Sequence, residues 1–135
     1  MVSEEAHYCI DRAARILGMG AEGIIKIPVD QQFKIRPELL ADRWEQAQNA
    51  GLEVIAVVGC AGSTATGSYD DLNALADFCE KHQLWFHVDG AHGGAVVFSD
   101  QHQALVAGIN RADSVVIDYH KMLMTPALNL SLIHI

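Results

Sequence analysis

Two reactive side chains lie near the end of the chain, directly after an apolar run that predicts a buried strand. In "DSVVIDYHKML", Asp118 closes the apolar run and Lys121 follows shortly after it. Lysine is rarely fully buried without a partner, so a lysine directly after a buried strand is unusual. A lysine amine that is partly withdrawn from water can act as a nucleophile and form a Schiff base with an aldehyde. The pattern therefore indicates covalent chemistry at Lys121, with an aldehyde cofactor as the partner.

Asp89 closes a second apolar run, "LWFHVD". A buried carboxylate destabilises the fold unless it is paired or hydrogen-bonded. Asp89 is therefore expected either to cap a turn or to hold a cation in a site. A pyridine nitrogen suits the second role, because a nearby negative charge favours the protonated form of the ring.

The segment "HVDGAH" also permits a metal site, since imidazole and carboxylate groups bind zinc and other divalent ions. In that interpretation His87, Asp89 and His92 would serve a metallohydrolase. His92 reaches the strand face of the other two only through a turn, and no second cluster of histidine or cysteine completes the set. We therefore expect no metal and keep the metallohydrolase as the weaker alternative.

The segment "GCAGSTATGS" offers small residues and hydroxyl groups after a third apolar run. Ser63 and Thr64 could donate hydrogen bonds to a carboxylate or a phosphate. The segment lacks the lysine of a P-loop and the GxGxxG pattern, so by itself it does not establish a phosphate site.

Helices and strands alternate along the chain, and these elements must position the reactive residues. The predicted apolar faces are Ala6, Cys9, Ile10, Ala13, Ile16 and Leu17 for a first helix capped by Ser3; Leu40, Trp44 and Ala47 for a second helix that begins at Pro37; and Leu72, Leu75, Ala76 and Cys79 for a third that begins near Asp70. Apolar runs such as "EVIAVVGC" predict buried strands between them. The order predicts an α/β fold with a mostly parallel sheet flanked by helices. Ligands of such sheets bind at the carboxyl ends of the strands, where the polar residues described above lie.

The composition limits the classes of partner. The chain has 135 residues, which suits one domain, and 17 acidic against 9 basic residues give a net charge of -8. This charge argues against nucleic acid or an anionic membrane as the main partner. Cys9, Cys60 and Cys79 have no close spacing, so we expect reduced thiols and a cytoplasmic protein, with Cys9 and Cys79 buried. No apolar run is long enough to predict a transmembrane helix.

Three segments resemble one family in their order and spacing. The segments "VGCAGSTATGSYDDL", "LWFHVDGAHGG" and "ADSVVIDYHKML" are similar to the group II pyridoxal-phosphate-dependent amino-acid decarboxylases, which include glutamate, aromatic-amino-acid and diaminobutyrate decarboxylases. The resemblance implies the large domain of fold type I, the aspartate-aminotransferase-like fold. It also implies pyridoxal 5'-phosphate as cofactor and a small-molecule amino acid as substrate.

The resemblance also implies roles for individual residues. Lys121 would form the Schiff base with the cofactor, and Asp89 would pair with its pyridine nitrogen. Ala91 would pack against the ring, and His7 would stack over the other face. Thr64 matches the second threonine of the family's "GTT" loop, while serine stands at the first position.

Asp118 and His120 are implied to help hold the phosphate group. The catalytic residues would be Lys121, His7 and Asp89, in the α-decarboxylation of an L-amino acid. Another fold-type-I activity (lyase, aldolase or aminotransferase) remains an alternative, because it shares the same lysine and aspartate. The sequence does not reveal which amino acid is the substrate.

Two departures from the family stand out. Gly90 and His92 occupy positions where the family usually has a small residue and an aromatic one. Family members are also several times longer, so residues 1–135 are interpreted as part of the cofactor-binding domain, without the N-terminal segment and the C-terminal small domain. The last residues could be foreign to the protein. We expect the full-length protein to form a homodimer and this part to be inactive alone.

Overall fold

The computed structural model describes residues 1–134 and contains three α-helices and six strands within that range. In chain order they are β1 (Val2–Ser3), α1 (Cys9–Ile16), β2 (Lys26–Ile27), α2 (Leu40–Asn49), β3 (Ala56–Cys60), α3 (Leu72–His82), β4 (Trp85–Asp89), β5 (Ser114–Asp118) and β6 (Leu130–His134). Short 3-10 helices cover Pro37–Leu39, Gly94–Phe98, Gln103–Val106 and Ile109–Arg111. The alternation of helix and strand agrees with the predicted α/β class.

All six strands form one sheet in the order β2-β1-β3-β4-β5-β6. The first five pair in parallel, and β6 runs antiparallel to β5. In the middle of the sheet, Val58 is paired with His87, and His87 with Ser114. Strands β3, β4 and β5 therefore end at the same edge, which brings their carboxyl-terminal residues together.

One face of the sheet builds the hydrophobic core. Phe86 and Val88 of β4 are fully buried, as are Leu72 and Leu75 of α3. Gly59 of β3 permits this close packing, since a Cβ there would lie 2.7 Å from Leu75 Cδ1 and 3.2 Å from Leu72 Cδ2. The core side of α3 was predicted correctly, and its members are all buried: Leu72, Leu75, Ala76 and Cys79.

The start of α3 differs slightly from the prediction. The N-cap is Asp71, whose Oδ1 accepts a hydrogen bond from Ala74 N at 3.1 Å. Asp70 is instead buried, and its two carboxylate oxygens accept hydrogen bonds from Ile35 N and Cys60 N, both at 2.7 Å. Asp70 therefore ties the end of β3 to the segment before α2.

The first helix corrects two predictions. Ser3 does not cap it, because Ser3 lies buried in β1 and the helix begins at Cys9. The predicted apolar face is largely exposed, with Ile16 at 77% and Leu17 at 72% of their full accessibility, and Cys9 is exposed as well. Helical spacing shows which side of a helix is apolar but not what packs against it. Ala14 is the residue of α1 that is buried.

The remaining predictions for the helices agree with the structure. Pro37 opens the turn that leads into α2, and Leu40 and Ala47 are buried, while Trp44 is partly buried against the core. None of the helices in residues 1–134 is long and apolar enough to cross a membrane.

Candidate active site

A cavity of about 490 Å³ opens at the carboxyl ends of β3, β4 and β5. It lies where the topology of a parallel sheet places a ligand. Six of the seven residues predicted to bind the cofactor line this cavity: His7, Thr64, Asp89, Ala91, Asp118 and Lys121. Residues up to 114 positions apart in the sequence, from His7 to Lys121, therefore meet in one place.

Lys121 reaches the cavity from the turn that follows β5. Its Nζ lies 2.7 Å from Asp118 Oδ2, and the side chain of Asp118 is only 10% exposed. The turn itself is closed by a hydrogen bond from Lys121 N to the carbonyl of Asp118. The carboxylate therefore holds the amine at the cavity wall.

Asp89 is the last residue of β4 and lies on a neighbouring strand of the same edge. Its Oδ1 accepts a hydrogen bond from Ala91 N at 3.1 Å, which closes the turn after the strand. Within residues 1–134, Oδ2 of Asp89 has no hydrogen-bond partner. This carboxylate and the amine of Lys121 line the same cavity. They suit two groups of pyridoxal phosphate: the carboxylate can pair with the ring nitrogen, and the amine can react with the aldehyde.

The loop after β3 supplies one hydroxyl to the cavity and uses the other for its own structure. Ser63 is 5% exposed, and its Oγ contacts the hydroxyl groups of Thr66 and Ser68. Thr64 is exposed and lines the cavity with no hydrogen bond from its hydroxyl to any of residues 1–134. Thr64 is thus the hydroxyl that is available to a ligand.

Two glycines bring this loop against the turn after β4. Gly62 has φ +82°, a left-handed conformation that glycine adopts without strain. A Cβ on Gly93 would lie 2.6 Å from the carbonyl oxygen of Ala61 and 2.8 Å from the Cα of Gly62. Gly93 N also donates a hydrogen bond to Ala61 O. The two loops therefore touch backbone to backbone, which fixes one wall of the cavity.

The two histidines implied by the family pattern are placed differently. His7 lies just before α1 and lines the cavity, and its Nδ1 accepts a hydrogen bond from Cys9 N at 3.3 Å. His120 does not line it. The Nδ1 of His120 lies 2.9 Å from the carbonyl oxygen of Asn129, and its Nε2 lies 3.7 Å from Asp118 Oδ2. In this geometry His120 lies beside Asp118 and not in the cavity wall, and its role toward a phosphate stays a prediction.

Sequence reasoning missed the environment of His87. This residue lines the cavity two positions before Asp89, and its Nδ1 lies 2.8 Å from the hydroxyl of Ser114 on β5. Burial lowers the pKa of His87, while the charge of Asp89 opposes that shift. The strand register that joins His87 to Ser114 could not be read from the sequence.

Within residues 1–134 no group of three or more histidine, cysteine, aspartate or glutamate side chains is arranged to hold a metal ion, so His87, Asp89 and His92 do not form a metal site.

Cys9 also lines the cavity, although it was expected in the core. Although the residue is exposed overall, partial burial of its thiol raises the pKa, and the negative charge of Asp89 raises it further. The charge of Lys121 acts in the opposite direction. Cys9 is therefore a neighbour of both proposed cofactor-binding groups, and its thiol is held in the neutral form.

Comparison with known proteins places this geometry in a family. The family model described as "Pyridoxal-dependent decarboxylase conserved domain" matches residues 1–135. The chain is 41% identical to acidic amino acid decarboxylase GADL1 from Xenopus tropicalis over 122 residues, which is 90% of this chain and 24% of the relative. It is also 41% identical to aspartate 1-decarboxylase from Aliivibrio fischeri over 125 residues, 93% of this chain and 23% of the relative.

A solved structure gives the same result for the fold. The crystal structure of mouse CSAD superimposes with a TM-score of 0.97 at 38% identity, over 98% of this chain and 28% of that one. The likeness confirms the predicted fold-type-I architecture, and the family model confirms the predicted cofactor class. The chain spans about a quarter of the length of the curated relatives that it matches. The chain belongs to the pyridoxal-dependent decarboxylase family.

Proposed function

We propose that this chain forms part of the cofactor site of a pyridoxal-phosphate-dependent enzyme that removes the α-carboxylate of an L-amino acid as carbon dioxide. The observation that carries the proposal is the placement of Lys121 and Asp89 on one cavity, at the ends of adjacent parallel strands. When bound, the cofactor supplies an electron-accepting ring that stabilises the negative charge left on the α-carbon.

Lys121 and Asp89 would hold the two ends of that cofactor. The Nζ of Lys121 would bond to the aldehyde carbon of the cofactor, whose oxygen would leave as water, and Asp118 Oδ2, 2.7 Å away, would hold the amine at the cavity wall. Asp89 would place its carboxylate against the ring nitrogen and keep that nitrogen protonated, because a nearby negative charge favours the cation. Each side chain lines the cavity already.

The other wall residues would orient the cofactor and exclude water. Ala91 has a small side chain beside Asp89, so a flat ring could lie close to the backbone there. His7 stands on the cavity wall supplied by the segment before α1 and would cover the opposite ring face. Thr64 would donate its hydroxyl to a ligand oxygen, since that hydroxyl has no partner among residues 1–134.

The substrate is proposed to be an amino acid with a second acidic group on its side chain. Support comes from the relatives, whose names describe decarboxylases of acidic amino acids, of aspartate and of cysteine sulfinic acid, at 40–41% identity. We also propose a homodimer in the cytoplasm, as expected from the family resemblance and the separated cysteines.

Release of carbon dioxide from a panel of amino acids tests the function. Aspartate, glutamate and cysteine sulfinate represent the acidic class, with diaminobutyrate and tryptophan as basic and aromatic comparisons. The proposal predicts carbon dioxide and the matching amine from an acidic member, and a steep loss of turnover in Asp89→Asn with cofactor still bound. Transfer of the amino group without release of carbon dioxide would instead identify an aminotransferase. Activity lost to a chelator, with no dependence on pyridoxal phosphate, would point to the metallohydrolase.

A further inference from the structure

The loop that follows β3 is tied to a distant turn through one side chain. The hydroxyl of Ser68 lies 2.8 Å from the carbonyl oxygen of Phe33, which is 35 positions away in the sequence. A carbonyl oxygen can only accept, so the hydroxyl of Ser68 is the donor of this hydrogen bond. Residues 62–68, named the cavity loop from here on, are therefore anchored to the turn that residues 30–34 form.

Ser68 also holds two residues of the cavity wall directly. Its carbonyl oxygen accepts hydrogen bonds from Gly62 N at 3.0 Å and from Ser63 N at 2.9 Å, and its Oγ lies 3.2 Å from Ser63 Oγ. Gly62 and Ser63 both line the cavity, and Thr64 follows them at the exposed part of the loop. Gly67 N donates to Ser63 O at 2.9 Å, which closes the loop. The position of Thr64 therefore depends on hydrogen bonds that meet at Ser68.

The turn that accepts this hydrogen bond has a strained backbone. Phe33 has φ +60°, a left-handed conformation that is unusual for a bulky residue, and it is 48% exposed, so burial of its side chain does not explain the conformation. Asp30 closes the turn, because its Oδ1 accepts hydrogen bonds from Gln32 N at 2.8 Å and from Lys34 N at 3.0 Å. Strain of this kind persists where surrounding contacts impose it, and it is concentrated at functional sites. Here the strained turn directs the carbonyl of Phe33 toward Ser68.

We propose that Ser68 is a positioning residue, which holds the cavity loop so that Thr64 presents its hydroxyl to the cofactor. Thr64 lines the cavity, and its hydroxyl has no hydrogen-bond partner among residues 1–134. A loop that is already held in place loses little conformational freedom when it binds a ligand, and this preorganisation strengthens binding. The proposal rests on the proposed function for the identity of the ligand, and on the structure alone for the anchoring of the loop.

The anchoring of the loop can be measured without any cofactor. Hydrogen exchange of the purified protein, followed by mass spectrometry, reports how often the amides of Gly62 and Ser63 lose their hydrogen bonds. Ser68→Ala should raise the exchange rate of peptides that cover the cavity loop about fivefold, as expected for the loss of one hydrogen bond. Ser68→Thr keeps the hydroxyl and should exchange like the natural protein. Unchanged exchange in Ser68→Ala would overturn the anchoring, whether or not pyridoxal phosphate binds.

The role toward the cofactor is tested by absorbance titration with pyridoxal phosphate. Ser68→Ala should weaken binding about fivefold, because the released loop must be ordered again when the ligand binds. Ser68→Thr should restore the affinity. The matched control is Ser99→Ala, which removes a serine hydroxyl that accepts a hydrogen bond from His102 N at 3.3 Å outside the cavity lining and should leave the affinity unchanged. Circular dichroism and the melting temperature establish that each variant folds.

A double-mutant cycle separates positioning from a general loss of stability. Ser68→Ala should weaken binding in the natural background but have little further effect in Thr64→Val, since both changes act through the hydroxyl of Thr64. Additive losses, or natural affinity in a folded Ser68→Ala, would refute the positioning role. If neither the natural protein nor any variant binds pyridoxal phosphate, the proposed function fails, while hydrogen exchange still decides whether Ser68 anchors the loop.

Discussion

Adding a single methyl group at Gly93 should distort the cavity, although Gly93 has no side chain that takes part in the proposed chemistry. The Cβ of Gly93→Ala would overlap the hydroxyl of Tyr69 and lie 2.6 Å from Ala61 O and 2.8 Å from the Cα of Gly62. Tyr69 can rotate away, but the other two atoms belong to the backbone. The φ of Gly93 is -97°, so alanine meets no conformational strain there and the cost is steric alone.

Relief of this clash requires the loop after β3 to move away from the turn after β4. Overpacking of this kind typically costs about 1–3 kcal/mol, and two immovable contacts place Gly93→Ala near the upper value. The displaced loop carries Thr64, so affinity for pyridoxal phosphate should fall together with stability. Urea denaturation gives the free energy of unfolding, and absorbance titration gives the affinity.

Gly67→Ala is the matched control for this experiment. Gly67 has φ +68°, and no atom lies within 4 Å of the position that the methyl group of alanine would take, so this variant incurs only the left-handed strain of about 1–2 kcal/mol. Affinity for the cofactor should not change in this variant. If Gly93→Ala is no less stable than Gly67→Ala and binds the cofactor normally, the backbone contact between the two loops does not shape the site.

Three further predictions concern the buried groups that support the cavity. Asp70→Asn replaces one of two accepting oxygens with a donor and leaves Ile35 N or Cys60 N unpaired. The free energy of unfolding, measured by urea titration, should therefore fall by about 1–3 kcal/mol. The control Asp71→Asn keeps the cap of α3 and should hardly change that free energy. Burial raises the pKa of Asp70 above its unfolded value, so the folded state binds more protons than the unfolded state. The contribution of Asp70 to stability should therefore decline as the pH rises from the unfolded to the folded pKa. A dependence of stability on pH that is unchanged in Asp70→Asn would contradict this. Leu75→Ala should lower the free energy of unfolding by about 2–5 kcal/mol, because Leu75 is fully buried. Ile16 is 77% exposed, so Ile16→Ala should change it by less than about 0.5 kcal/mol. Equal losses in the two variants would mean that α1 is covered in solution.

Parts of this molecule that depend on local pattern were readable from the sequence. The apolar residues of α3 recur at helical spacing, and a helix on a sheet must bury such a face, so Leu72 and Leu75 were placed correctly. The candidate site was also readable, because parallel strands share a polarity. Once Asp89 and Lys121 followed two such strands, they had to meet at one edge.

Other features depend on contacts between distant residues and could not be read in advance. The exposure of Ile16 and Cys9 reflects what packs on α1, which no local pattern contains. The hydrogen bond from Trp85 to Ser114 spans 29 positions and needs the register of β4 against β5. His120 lies outside the cavity wall and contacts Asn129, and the spacing of the motif does not predict that contact.

The central claim is that Lys121 is the residue that bonds to pyridoxal phosphate. The direct measurement is reduction of the protein with borohydride after incubation with pyridoxal phosphate, followed by mass spectrometry of the peptides. We predict one stable adduct, on Lys121, that disappears in Lys121→Ala and persists in Lys81→Ala, where an exposed lysine of α3 is removed. An adduct that survives Lys121→Ala in full yield, or that maps to another lysine, would contradict it.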